Sequence, residues 1–206
     1  MNLVNYITAT EPALPPIQAQ MYEYVTAANG VFVRGQREGL EVMLPVTQAP
    51  RVPIRGLVCV EPYVHLSCPR VPSYRLASMH EYSRWMKDAC ANPIEVLFYL
   101  HNDDSGIWHT VVPQQKATEM SVVSTDKPEL QAQALIEVHS HHRMAPSFSS
   151  TDDADETGFR VYTVLGTIFT HPAIRVRVGL YGYRWEIPAS WIFDLPPEIE
   201  DAYGKP

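Results

Sequence analysis

Apolar residues along this chain come mostly in short runs, broken at frequent intervals by proline and glycine. Val31-Phe32-Val33, the glycine-bounded segment 35–39 and the run 40–46 together read as a β-hairpin, closed off by Pro45, Pro50 and Pro53. Residues 56–60 read as a further strand and 63–66 as another. Ahead of them, residues 1–30 are weakly patterned, and Pro12, Pro15 and Pro16 interrupt any regular element. At residue 73 the period changes. Leu76, Met79, Tyr82, Met86 and Ala89 fall at spacings of three and four, which predicts an amphipathic helix over 73–91. Ser73 is its expected N-cap, and Asn92-Pro93 its stop. Residues 94–101 form an almost wholly apolar run, a central strand whose one charge is Glu95. After a turn at 102–106, further strands are expected over 107–112 and 118–123. Residues 135–138 lead directly into His139. A short acidic helix is expected over 149–158, a β-branched strand over 161–169, and a closing hairpin from 174–183 and 184–187.

Strand, helix, strands, short helix and strands in that order predict an α/β or α+β domain, a mixed sheet flanked by helices. Residues 1–70 are expected to form an N-terminal β-rich extension or small subdomain. Residues 71–195 are the expected main domain, and 196–206 an exposed, acidic, proline-containing tail. The length of 206 residues suits a domain with such an extension. The formal net charge of -7 argues against non-specific nucleic-acid binding, which needs a basic surface. Cys59, Cys68 and Cys90 are odd in number and contain no Cys-x-x-Cys, so neither a disulfide framework nor a cysteine zinc site is expected. The first residues carry no basic n-region, and no apolar run reaches the roughly 18 residues that span a bilayer. A reducing cytoplasm is the simplest compartment, with no membrane partner.

The segment from His139 to Asp152 carries the most chemistry. It reads His139-Ser140-His141, seven residues, Ser149, two residues, Asp152. On a strand, residues i and i+2 share a face, so both imidazoles can reach one point. Asp152, at the start of the following helix, can supply a third ligand. Two histidines and an aspartate suit zinc, and three protein ligands leave a position open for water, the mark of a catalytic rather than a structural ion. Hydrolysis also needs a carboxylate that moves protons without ligating the metal. Glu95, a charge in an apolar strand, is favoured over Glu137, which lies two residues before His139. Ser149 has two readings. Its hydroxyl could donate to a developing oxyanion, or Ser-x-x-Asp could be a helix capping box. The neighbouring His-x-His tips the balance toward a catalytic role.

These residues resemble the motif of the JAMM (MPN+) metallopeptidases. The matching elements cover about residues 73–190: helix, Glu95 strand, His-x-His strand, Asp152 helix and final strands. The resemblance implies zinc held by His139, His141 and Asp152, Glu95 as general acid/base and Ser149 as oxyanion aid. It implies a fold related to that of cytidine deaminases. Residues 29–33, 93–100 and 149–156 also look like the A-protein family of the bacterial PRTRC cassette. That cassette implies a mobile-element setting, a ubiquitin-like protein or its conjugate as substrate, and a ubiquitin-activating-enzyme-like protein as associate. The chain departs from the JAMM pattern in two places. His142 stands where proline usually follows the second histidine, and Leu97 and Phe98 stand where a glycine is common. A catalytically silent scaffold and a RadC-like DNA-processing accessory are the competing classes. The intact ligand set opposes the first, and the acidic charge opposes direct DNA binding in the second.

Overall fold

The structure is a computed structural model, described over residues 2–47 and 51–205; Pro50, expected to help end the first hairpin, lies outside these. The protein is mixed α/β, rich in strands and poor in helices, with mixed sheets. It divides into two compact units. One comprises Met1–Ser67 with Thr157–Phe159 and Gly179–Trp185; the other comprises Cys68–Glu156, Arg160–Val178 and Glu186–Pro206. No helix is long and apolar enough to cross a membrane among the described residues.

In the first unit, β1 (Val4–Thr8), β2 (Tyr22–Ala27), β3 (Gly30–Arg37), β4 (Leu40–Pro45) and β5 (Tyr63–Leu66) form a five-stranded sheet in that order. The expected β3–β4 hairpin is there, turning at Gly39, whose φ of 83° suits glycine. β1 and β2 lie in the stretch that seemed unpatterned. They pair parallel to one another, a non-local contact that leaves no hairpin signature. β2 also hides its alternation, because its buried row is Glu23, Val25 and Ala27. The carboxylate of Glu23 accepts from Arg34 Nε at 2.9 Å, from Arg34 Nη2 at 2.6 Å and from the Gln18 N–H at 2.9 Å. A satisfied charge thus occupies a core position. Residues 56–60 are not a strand. Their apolar side chains pack without a ladder: the Val58 N–H donates to Ala9 O, and Asn29 brackets Val60 with two side-chain bonds.

The longer sheet lies mainly in the second unit, which does not include residues 179–185 of its last hairpin. Its strands are β6 (Leu97–Asn102), β7 (Trp108–Val111), β10 (Ile136–His141), β11 (Arg160–Gly166), β12 (Ala173–Leu180) and β13 (Tyr183–Ile187), in the order β13-β12-β11-β10-β6-β7, with β14 (Glu200–Asp201) beside β12. β8 (Gln115–Ala117) and β9 (Val122–Ser124) form a separate ribbon, where one strand over 118–123 was expected. Helices α1 (Ser73–Trp85), α2 (Pro128–Gln133) and α3 (Ser150–Asp155) complete it. β10 runs parallel to β11 and antiparallel to β6.

Several boundaries differ from expectation, each for a local reason. α1 starts after Pro72 with no side-chain cap, so Ser73 is its first residue rather than its cap. It stops at Trp85 instead of 91, because the Asp88 side chain accepts from the N–H groups of Cys90 and Asn92 and holds a turn there. Glu95 precedes β6 in an extended segment rather than lying within it. The tail expected over 196–206 is not wholly exposed in its described part, 196–205. Ile199 and Ala202 are buried, and β14 pairs parallel with β12.

The Glu23–Arg34 pair dominates the electrostatics inside the first sheet. Burial alone would raise the Glu23 carboxyl, but the Gln18 N–H and the Arg34 guanidinium hold it below its ordinary 4.5. A carboxyl lowered on folding contributes stability that is present above its unfolded value and lost as pH falls through its folded one. Acid should therefore weaken the fold below about pH 4.5. Arg34→Met should cost about 3–5 kcal/mol in urea unfolding, because it leaves the carboxylate buried and alone. Unchanged stability in that variant would refute the role assigned to the pair.

Candidate metal centre

His139 and His141 close β10, two residues apart on one face. Both are buried, and their Nε2 atoms stand 3.2 Å apart. Asp152, on the first turn of α3, brings Oδ1 to 3.5 Å from His139 Nε2. One donor atom from each of the three residues lies within 4.8 Å of the others. This group could hold a metal ion.

The local sequence explains the convergence. The β6–β10 ladder ends at the pair His139–Leu97, yet β10 continues for two more residues. Ser140 takes over from the ladder. Its N–H donates to Val96 O and its Oγ accepts from the Val96 N–H, each at 3.0 Å. Glu95 is thereby set next to the histidines, with Oε1 at 3.8 Å from His141 Nε2. The carboxyl is 3% exposed, and Oε1 has no hydrogen-bond partner. On the other side, His141 Nδ1 donates to Ala145 O at 3.1 Å, which leaves the Nε2 lone pair free to face the cluster. The loop at 145–146 lies so close to β11 that a Cβ on Gly166 would meet Pro146 N at 2.3 Å. Glycine is required there, and Gly166 is the β11 neighbour of His141.

The protonation states suit a cation. Burial holds His139 down at about 4, against the pull of Asp152, so it is neutral near pH 7. For Asp152, burial is outweighed by His139 and by the bonds from Ser149, and its carboxyl lies below the ordinary range. Metal ligands must be deprotonated, and His139 and Asp152 are. Glu95 goes the other way: burial, aided by the charge of Asp152, pushes it up to about 8. It is a proton holder beside two bases.

Each residue singled out in the sequence has a definite place. Ser149 is the N-cap of α3 in a complete capping box. Its Oγ accepts the Asp152 N–H at 3.2 Å, while Asp152 Oδ2 accepts from the Ser149 N–H at 2.6 Å and from its hydroxyl at 2.7 Å. It therefore orients Asp152 directly. Glu137 lines the same cleft but pairs with Arg160 Nη1 at 3.2 Å. His142 is buried and stacks on Phe169, 5.8 Å between ring centroids, apart from the three-residue cluster. Asp153 Oδ1, beside Asp152, accepts from Arg177 Nη1 at 2.7 Å. The cleft, about 290 Å³, is lined on its apolar side by Leu97, Val122 and Met144.

Sequence reasoning missed Ser140, Gly166 and Arg177. Each had a signal: a hydroxyl between two histidines, an isolated glycine ending a β-branched strand, and a charge inside the apolar run 174–180. The last is the same cue that exposed Glu95. No protein-family model matches the chain, and no curated protein matches it.

Gly166→Ala should push the 145–146 loop off β11 and release the Nδ1 anchor of His141. We expect a loss of about 1–3 kcal/mol in urea unfolding, with weaker uptake of divalent cobalt in a visible-absorption titration. Wild-type values for both would show that the close approach has no role.

Proposed function

We propose that this protein is a zinc-dependent hydrolase of the JAMM (MPN+) type, an isopeptidase or peptidase. The observation that carries the proposal is the pairing of a three-donor cluster with a buried carboxyl that is not one of the donors: Glu95 Oε1, unpartnered, 3.8 Å from His141 Nε2. Two imidazoles and one carboxylate are a donor set suited to zinc, and a fourth position is left for the reaction. When bound, zinc would supply a Lewis acid that acidifies a water and polarises the scissile carbonyl.

The chain's own groups do the rest. Glu95 must first give up the proton that burial favours; as the carboxylate it would accept the proton of the attacking water and return it to the leaving amine. Its seat away from solvent keeps its proton affinity high enough to serve both directions. Asp152 is aimed by Ser149, whose O–H lies within the cleft and can turn from Asp152 Oδ2 to a developing oxyanion. The order of elements supports the same reading: α1, the Glu95 segment, the His-x-His strand, the Asp152 helix and closing strands follow the JAMM pattern. The cytidine-deaminase-like MPN fold belongs to that reading. So do a PRTRC-type cassette, a ubiquitin-like protein or its conjugate as substrate, and a ubiquitin-activating-enzyme-like associate. Cys59, Cys68 and Cys90 are free, as suits a reducing cytoplasm.

Purified protein should carry about one zinc per chain by elemental analysis, and His139→Ala or Asp152→Ala should lose it. Glu95→Gln should keep zinc and lose at least about 100-fold in cleavage of a fusion to the ubiquitin-like partner. Glu137→Gln should retain most of that cleavage. An active Glu95→Gln together with a dead Glu137→Gln would reassign the base, and a wild-type chain that takes no metal would sink the proposal.

A further inference from the structure

We propose that Arg177, on β12, is the positioning residue that fixes Asp152 in the metal centre and so sets metal affinity. This inference rests on the metal-binding reading above. α3 is six residues long and buries none of them. A helix that short has little stability of its own, so whatever holds it against the sheet also holds Asp152. The capping box of Ser149 shapes the first turn but ties it only to itself.

Arg177 supplies the external tie. Its Nη1 donates to Asp153 Oδ1 at 2.7 Å and its Nε to Glu156 Oε2 at 2.6 Å. Its guanidinium carbon lies 3.8 Å from the centre of the Phe148 ring. These three contacts bracket the ligand: Phe148 precedes the cap, Asp153 follows Asp152, and Glu156 lies one turn on, its N–H donating to Asp152 O. The guanidinium itself is almost wholly buried. A planar fork can hold two carboxylates and stack on a ring at once, which an ammonium cannot. The same cation acts on Glu156, whose carboxyl lines one cleft with Asp152 and Glu95.

The test is a cobalt titration of the full chain and its variants, read by visible absorption, with far-ultraviolet circular dichroism as the check on folding. Arg177→Met should weaken cobalt binding by about 10- to 100-fold, the usual cost of losing a group that orients a ligand. It should also change the cobalt spectrum, because the carboxylate ligand is no longer held. Arg177→Lys, with one charge and no fork, should fall between it and the wild type. A folded Arg177→Met with wild-type affinity and spectrum overturns the inference. Should Arg177→Met fail to fold, Arg177→Lys and Asp153→Asn decide: weakened binding in both supports the inference, and unchanged binding in either overturns it. A wild-type chain that takes no cobalt overturns the metal reading itself, and this inference falls with it.

Discussion

The centre depends on how β10 is held beyond the point where its ladder with β6 stops. Two hydrogen bonds between Ser140 and Val96 carry the pairing past Leu97. They fix Glu95, two residues before the start of β6, relative to the two imidazoles. A strand has a side-chain period of two, so a slip of one residue would send both histidines to the opposite face. β10 is guarded against that slip on both sides, by a parallel neighbour in β11 and an antiparallel one in β6. The histidines therefore sit on a strand paired on both sides up to His139, while the residues that complete the centre come from segments outside the ladder.

Electrostatics gives these parts opposite characters. Burial strips the proton from His139 and keeps one on Glu95, because in each case the neutral form is the cheaper one to bury. Asp152 escapes this rule through its bonds from Ser149 and its imidazole neighbours. One cleft thus contains a neutral imidazole, an ionised carboxylate and a protonated carboxyl. Such separation of titration behaviour among neighbouring groups is characteristic of sites that move protons.

What could be read in the sequence followed the range of the contacts involved. His139, His141, Ser149 and Asp152 lie within one short segment, and strand and helix geometry alone brings them together. Glu95 was visible because a charge in an apolar run demands a reason, although the run proved to enter β6 only at Leu97. The hairpin β3–β4 was legible from its glycine-bounded turn, while that of β12–β13 was legible as a pair although its turn at Tyr181-Gly182 falls inside the stretch 174–183 read as strand. β1 and β2 were not, since their pairing is parallel and Glu23 occupies the inward row. The end of α1 was set by a side chain, that of Asp88, and side-chain bonds leave little trace in hydropathy. Residues 196–206 looked like a tail because only two of them join the sheet, as β14.

α3 has one further consequence. The heat-capacity change of unfolding comes mainly from apolar surface newly exposed to water. A helix that buries no side chain adds almost nothing to it, and little to the enthalpy of melting. Detachment of α3 would remove a metal ligand with little change in that heat capacity, although it would strip the buried Arg177 guanidinium of its partners. The heat capacity of unfolding is, in this molecule, a poor reporter of the integrity of the centre.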